Sequence, residues 1–74
     1  MFVINNETWF VEEVDPYDIR LLTNEGFFTI GSCDDVTKTI YINRELSDFL
    51  FRKVLCHEIT HAAMFSYDVY LTVE

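Results

Sequence analysis

Ser47-Asp48-Phe49-Leu50-Phe51-Arg52-Lys53-Val54-Leu55-Cys56-His57-Glu58-Ile59-Thr60-His61-Ala62-Ala63-Met64-Phe65-Ser66 is a stretch that keeps a single period throughout. Leu46, just before it, begins a series with Phe49, Leu50, Val54, His57, His61 and Phe65 at the three- and four-residue steps of one helix face. Leu55, Cys56, Ile59, Ala62 and Ala63 form a second apolar stripe, and Arg52 and Lys53 supply the few charges. A helix apolar on more than one side is expected to be a central, buried one. Ser47 suits its N-cap, because a hydroxyl there can accept a free backbone N–H, and Asp48 suits the positive end of the helix dipole. After Ser66 the pattern breaks, and residues 68–72 read as a turn or a short extended segment.

Upstream of this helix the period is two. Phe2 and Ile4, then Trp9 and Val11, alternate about the turn-favouring pair Asn5-Asn6, and Asp15-Pro16 ends that hairpin. Residues 17–23 suit a short helix or turn capped by Asp15 and stopped by Asn24-Glu25-Gly26. Phe27, Phe28, Thr29 and Ile30 read as a strand, and residues 31–35 as a loop. Residues 37–42 (Thr-Lys-Thr-Ile-Tyr-Ile) are the strongest strand signal, β-branched and aromatic in alternation, closed by Asn43. Strands followed by one buried helix imply an α+β domain: a small antiparallel sheet of three or four strands packed on one long helix. No repeat, linker or biased segment divides the sequence, so residues 1–74 are read as one domain.

The bulk properties narrow the function classes. Seventy-four residues, half of them apolar, with two Gly and one Pro, suit a small folded domain rather than a disordered one. No apolar run approaches the roughly 18 residues of a membrane span, and Met1-Phe2-Val3-Ile4-Asn5-Asn6-Glu7 carries no export signal. A cytoplasmic location is expected. Cys33 and Cys56 are too few for a disulfide framework and are expected to be reduced and packed, with Cys56 as a metal ligand the alternative. The net charge of −8, thirteen carboxylates against five Lys and Arg, has the wrong sign for a phosphate backbone. An acidic protein binding a basic partner is a separate class of reading.

His57-Glu58-Ile59-Thr60-His61 has the form H-E-x-x-H. Two His four apart project from one helix face a turn apart, so both imidazoles can reach one metal ion. Zinc accepts imidazole nitrogen at about 2 Å, and a catalytic site keeps a position open for water. Glu58, beside the first His, is placed to take that water's proton, while the ion acidifies the water and polarises a peptide carbonyl. A lone buried His is more often a satisfied core residue than a ligand. Two His and a Glu on an apolar helix are different, because such a trio is costly without a partner and a cation is the natural one. The expected roles are therefore His57 and His61 as zinc ligands and Glu58 as general base. Thr60 and Met64 are expected to pack.

Together with the run Thr39-Ile40-Tyr41-Ile42-Asn43, the stretch Val54-Leu55-Cys56-His57-Glu58-Ile59-Thr60-His61-Ala62 resembles the small ImmA/IrrE-like zincin metallopeptidases, widespread in phages and mobile elements. The resemblance covers roughly residues 28–66 and is most specific at the helix. It implies a peptide or protein substrate. It also implies that the strand before the helix, residues 37–42, lies at the sheet edge, where an extended peptide can add to it. Relatives of the gluzincin kind take a third ligand, a Glu, from a second helix downstream. Glu74 stands where such a helix would begin and Asp68 is a weaker candidate; otherwise the ligand comes from a neighbouring chain or is missing. The sequence is accordingly read as an abbreviated form whose helix exposes apolar surface around Ile59, Ala63 and Phe65, giving a homodimer through that face. Alternatives are a catalytically degenerate metal-binding module that acts through protein interaction, and an acidic binding protein of phage origin in which the motif is accidental.

Overall fold

The structure, a computed structural model, describes residues 1–67. Its elements are strands β1 (Phe2–Ile4), β2 (Glu7–Val14), β3 (Gly31–Asp34) and β4 (Thr39–Asn43), followed by helix α1 (Asp48–Ser66). The fold is α+β: a four-stranded sheet in the order β1-β2-β4-β3 with one helix on it. Among the described residues, no helix is long and apolar enough to cross a membrane.

The first hairpin follows its local chemistry. Asn5 and Asn6 have φ values of 48° and 65°. A two-residue hairpin loop of this kind needs positive φ at both positions, and Asn tolerates that better than most residues. Phe2 then pairs with Trp9 and Ile4 with Glu7.

The sheet is mixed rather than wholly antiparallel, because β2 and β4 run parallel, with Val11 beside Ile40 and Val14 beside Asn43. Residues 15–30 keep the chain at the far end of β2, where β3 begins. β3 then runs back and turns into β4, which fills the gap between β2 and β3, with Gly31 beside Ile42 and Asp34 beside Thr39. Alternation in a sequence reports which face a side chain takes but not the direction of the neighbouring strand. The same topology corrects the expectation that the strand before the helix is an edge. β4 lies between two strands and is buried from Thr39 to Ile42, whereas β1 and β3 form the edges.

Two further segments differ from expectation. Residues 17–23 form only a 3-10 turn, Ile19–Leu21, and its cap is Asp18, whose carboxylate accepts from Arg20 N at 2.9 Å. Asp15 instead accepts from Tyr17 N. Residues 27–30 are not a strand: a tight loop closes from Thr23 N to Phe27 O at 2.8 Å, and Phe28 makes one isolated bridge to Leu22. The strand begins at Gly31, within the segment read as a loop.

β4 has a core on both sides. Ile40 and Ile42 join Trp9, Val54 and Ala62 beneath the helix, and Tyr41 packs with Val14 and Leu21 on the opposite face. α1 starts as expected, with Ser47 Oγ accepting from Leu50 N. Its buried positions are Val54, Glu58, Ala62 and Ser66, a single stripe of period four. The helix is thus covered on one side rather than enclosed. Ile59, Ala63 and Phe65 are half-buried, and Ile59 and Phe65 pack against the core. The most exposed apolar side chain of α1 is instead Phe49, in its first turn.

The helix is fastened at its C-terminal end by the first hairpin. Trp9 Nε1 donates to Ser66 Oγ at 2.7 Å in a buried bond, and Asn5 Nδ2 donates to Ser66 O at 2.9 Å. Removing the hydroxyl leaves a buried indole N–H without an acceptor. Ser66→Ala should therefore cost about 1–3 kcal/mol of unfolding free energy in urea titrations, and an unchanged midpoint would show that the bond does not hold the helix.

Candidate metal centre

His57, Glu58 and His61 lie on consecutive turns of α1, and each offers a ligand atom within 4.8 Å of the others. The two imidazoles converge, with Nε2 of His57 3.1 Å from Nε2 of His61 and the rings edge to face. A helix rise of about 1.5 Å per residue places positions four apart one turn from each other, so this convergence follows from the backbone. His57 is exposed and His61 half-buried, whereas Glu58 is only 7% exposed. The three residues therefore straddle the line between the helix's buried stripe and its open flank.

Glu58 is turned toward the sheet by the way β3 meets α1. A β-carbon on Gly31 would stand 2.5 Å from Val54 Cγ1 and 3.4 Å from Glu58 Cγ. Only a residue without a side chain lets the strand come this close to the helix. Gly31, Val54, His57 and Glu58 then share a cleft of about 300 Å³, completed by Thr29, Ile30 and Lys53. Burial pushes the Glu58 carboxyl above its ordinary range, opposed by attraction to His61 and His57.

The donor set fits a divalent ion of borderline character. Two imidazole nitrogens converge at 3.1 Å and a carboxylate stands within reach, a donor set of the kind such an ion takes. The structure thus brings together all three residues singled out in the sequence. Cys56 is exposed, lies outside this group and is not packed as expected, whereas Cys33 is half-buried against the core. Among the described residues, no further His, Cys, Asp or Glu joins the group; Asp68 and Glu74 lie outside them. The cleft residues Thr29, Ile30, Gly31 and Lys53 were not singled out as site residues. Lys53 had a readable signal, since it stands four residues before His57 on the same helix. The others reach the cleft only through the pairing of β3 with β4.

The two thiols should differ in reactivity. Burial pushes Cys33 up to about 12, helped by the nearby carboxylates of Glu58, Asp35 and Asp34, so its reactive thiolate is scarce at neutral pH. With iodoacetamide at pH 8, mass spectrometry should find Cys56 modified well before Cys33, and Cys33 should quicken only toward strongly alkaline pH. Equal rates in the folded protein would contradict the burial of Cys33.

The family model for the IrrE N-terminal-like domain of the M78 peptidases matches residues 12–72, from within β2 through the whole of α1. No curated protein and no solved structure matches the chain. With a metallopeptidase family's motif placed on the helix and a cleft beside it, the chain belongs to the M78 peptidase family of IrrE N-terminal-like domains.

Proposed function

We propose that this domain is a zinc-dependent peptidase in which His57 and His61 hold the ion and Glu58 is the general base. The observation that carries this reading is the convergence of the two Nε2 atoms at 3.1 Å, with His57 and Glu58 both lining the cleft. A bound ion of this class supplies Lewis acidity toward a peptide carbonyl and makes water acidic enough to lose a proton near neutral pH.

The chain's own residues supply the rest. Glu58 accepts the proton of the attacking water on a carboxylate oxygen and returns it to the nitrogen of the departing amine. Its burial against the sheet holds the carboxyl in the cleft beside His57. Ile30 and Val54 give the cleft apolar walls that limit bulk water around the reacting atoms. Substrate addition, expected at the strand before the helix, is assigned in this reading to β3, the edge strand whose first residue lines the cleft. Main-chain groups on the free side of β3 would hold an extended peptide across Gly31, and the side chains on either side of the cleaved bond would provide selectivity.

A degenerate, purely metal-binding module is the reading to be separated from this one. Protein purified without chelator should carry about one zinc per chain by elemental analysis, and His61→Ala should lose it. Glu58→Gln should keep the metal and the fold yet lower peptide hydrolysis by about 10²–10⁴-fold. Zinc retained by His61→Ala would sink the ligand assignment. Tight zinc binding with no hydrolysis of any peptide by the unsubstituted protein would favour the degenerate module.

A further inference from the structure

The distribution of positive charge in this acidic chain is uneven. Of its five lysines and arginines, three are neutralised locally. Arg20 pairs with Asp18 and Glu12, Lys38 with Glu7 and Asp35, and Arg44 with Asp15. Arg52 and Lys53 have no ion-pair partner among the described residues, and of these two Lys53 lines the cleft. Its Nζ lies 5.2 Å from the centroid of the Phe49 ring, a contact that steadies the side chain but leaves its charge uncompensated.

We propose that Lys53 is the specificity-determining residue of this cleft, receiving a substrate carboxylate close to the bond that is cleaved. The inference rests on the peptidase reading and goes beyond it to the class of peptide. Lys53 stands one helical turn, about 6 Å along the axis, before His57. The Lys53 ammonium lies over Phe49, toward the turn further from His57. An extended peptide advances about 3.3 Å per residue, so a carboxylate on Lys53 belongs to a residue about two to four positions from the cleaved bond. The Glu58 carboxylate repels an anionic group seated deeper in the cleft and so confines it to the Lys53 rim. At longer range the net charge of −8 disfavours anionic peptides, so the discrimination is made by contact at this rim. An exposed pair of this kind is modest in strength and weakens as salt screens it. The carboxylate can be a Glu or Asp side chain or the C-terminus of a short peptide, since Lys presents the same point charge to either.

The test uses quenched fluorescent peptides that differ only in Glu or Gln at positions up to four residues from the cleaved bond. Each is made with a free and with an amidated C-terminus and offered to the zinc-loaded protein. Fluorescence anisotropy of the same peptides on the protein stripped of metal by chelator reads binding without turnover and keeps Glu58 in place. Glu should be preferred by about 3- to 5-fold in kcat/KM and in affinity. The preference should vanish in Lys53→Gln, persist in Lys53→Arg and shrink as salt is raised. A preference that follows the free C-terminus instead assigns the same site to a chain end. Cleavage without Glu/Gln discrimination, or discrimination unchanged in Lys53→Gln, overturns the proposal and leaves the peptidase reading standing. Lys53-dependent binding without any cleavage does the reverse. Neither cleavage nor binding overturns both.

Discussion

At Gly31 the backbone of β3 and the side of α1 are so close that an added methyl group would stand 2.5 Å from Val54 Cγ1. This contact sets how α1 is rotated on the sheet. With Val54 against Gly31, the period of four carries Glu58, Ala62 and Ser66 inward as well. Ser66 is then tied to Trp9 and Asn5 at the other end of the helix. Between these two fastenings His57 and His61 occupy the flank next to the buried stripe, and His57 lines the cleft. A helix turned by a fraction of a step would bury an imidazole or expose Glu58. The centre is therefore a property of how the helix packs as much as of the motif it carries.

The placement of Glu58 shows why packing matters chemically. A carboxylate in water near other solvated groups binds protons weakly. Here the sheet removes water from one side of the group, which raises its proton affinity, while the two imidazoles oppose the shift without cancelling it. Burying an ordinary glutamate on the inward stripe thus raises its proton affinity, one position away from a histidine that remains exposed. The small core is sufficient for this because it has two parts. The Ile40, Ile42, Trp9, Val54 and Ala62 cluster supports the helix, and the Tyr41, Leu21 and Val14 cluster fixes β4 from behind. β4, with a core on both faces, is the central strand against which the helix packs.

Features governed by near neighbours were legible in the sequence. The Asn5-Asn6 turn, the Ser47 cap, the end of the helix after Ser66 and the grouping of His57, Glu58 and His61 all depend on residues within a few positions of one another. Features governed by distant pairing were not. Nothing in the alternation of β2 or β4 says that they run parallel, so nothing in it could correct the edge position that the family resemblance implies for β4, which is interior. Gly31-Ser32-Cys33-Asp34 has little intrinsic strand preference and is held in the sheet by pairing with β4. The helix reads as apolar on two faces because Phe65 of one stripe and Leu55 and Ile59 of the other flank the buried positions. Only their packing shows that they border the core rather than form a second one.

X-ray absorption at the zinc edge would test the centre most directly, because it identifies the atoms that touch the ion. The account predicts two imidazole nitrogens at about 2.0–2.1 Å with oxygen completing the shell, and loss of the imidazole signature on replacing His57 or His61. A sulfur scatterer at about 2.3 Å, or a shell of oxygen alone, would contradict it by removing the two histidines from joint ligation.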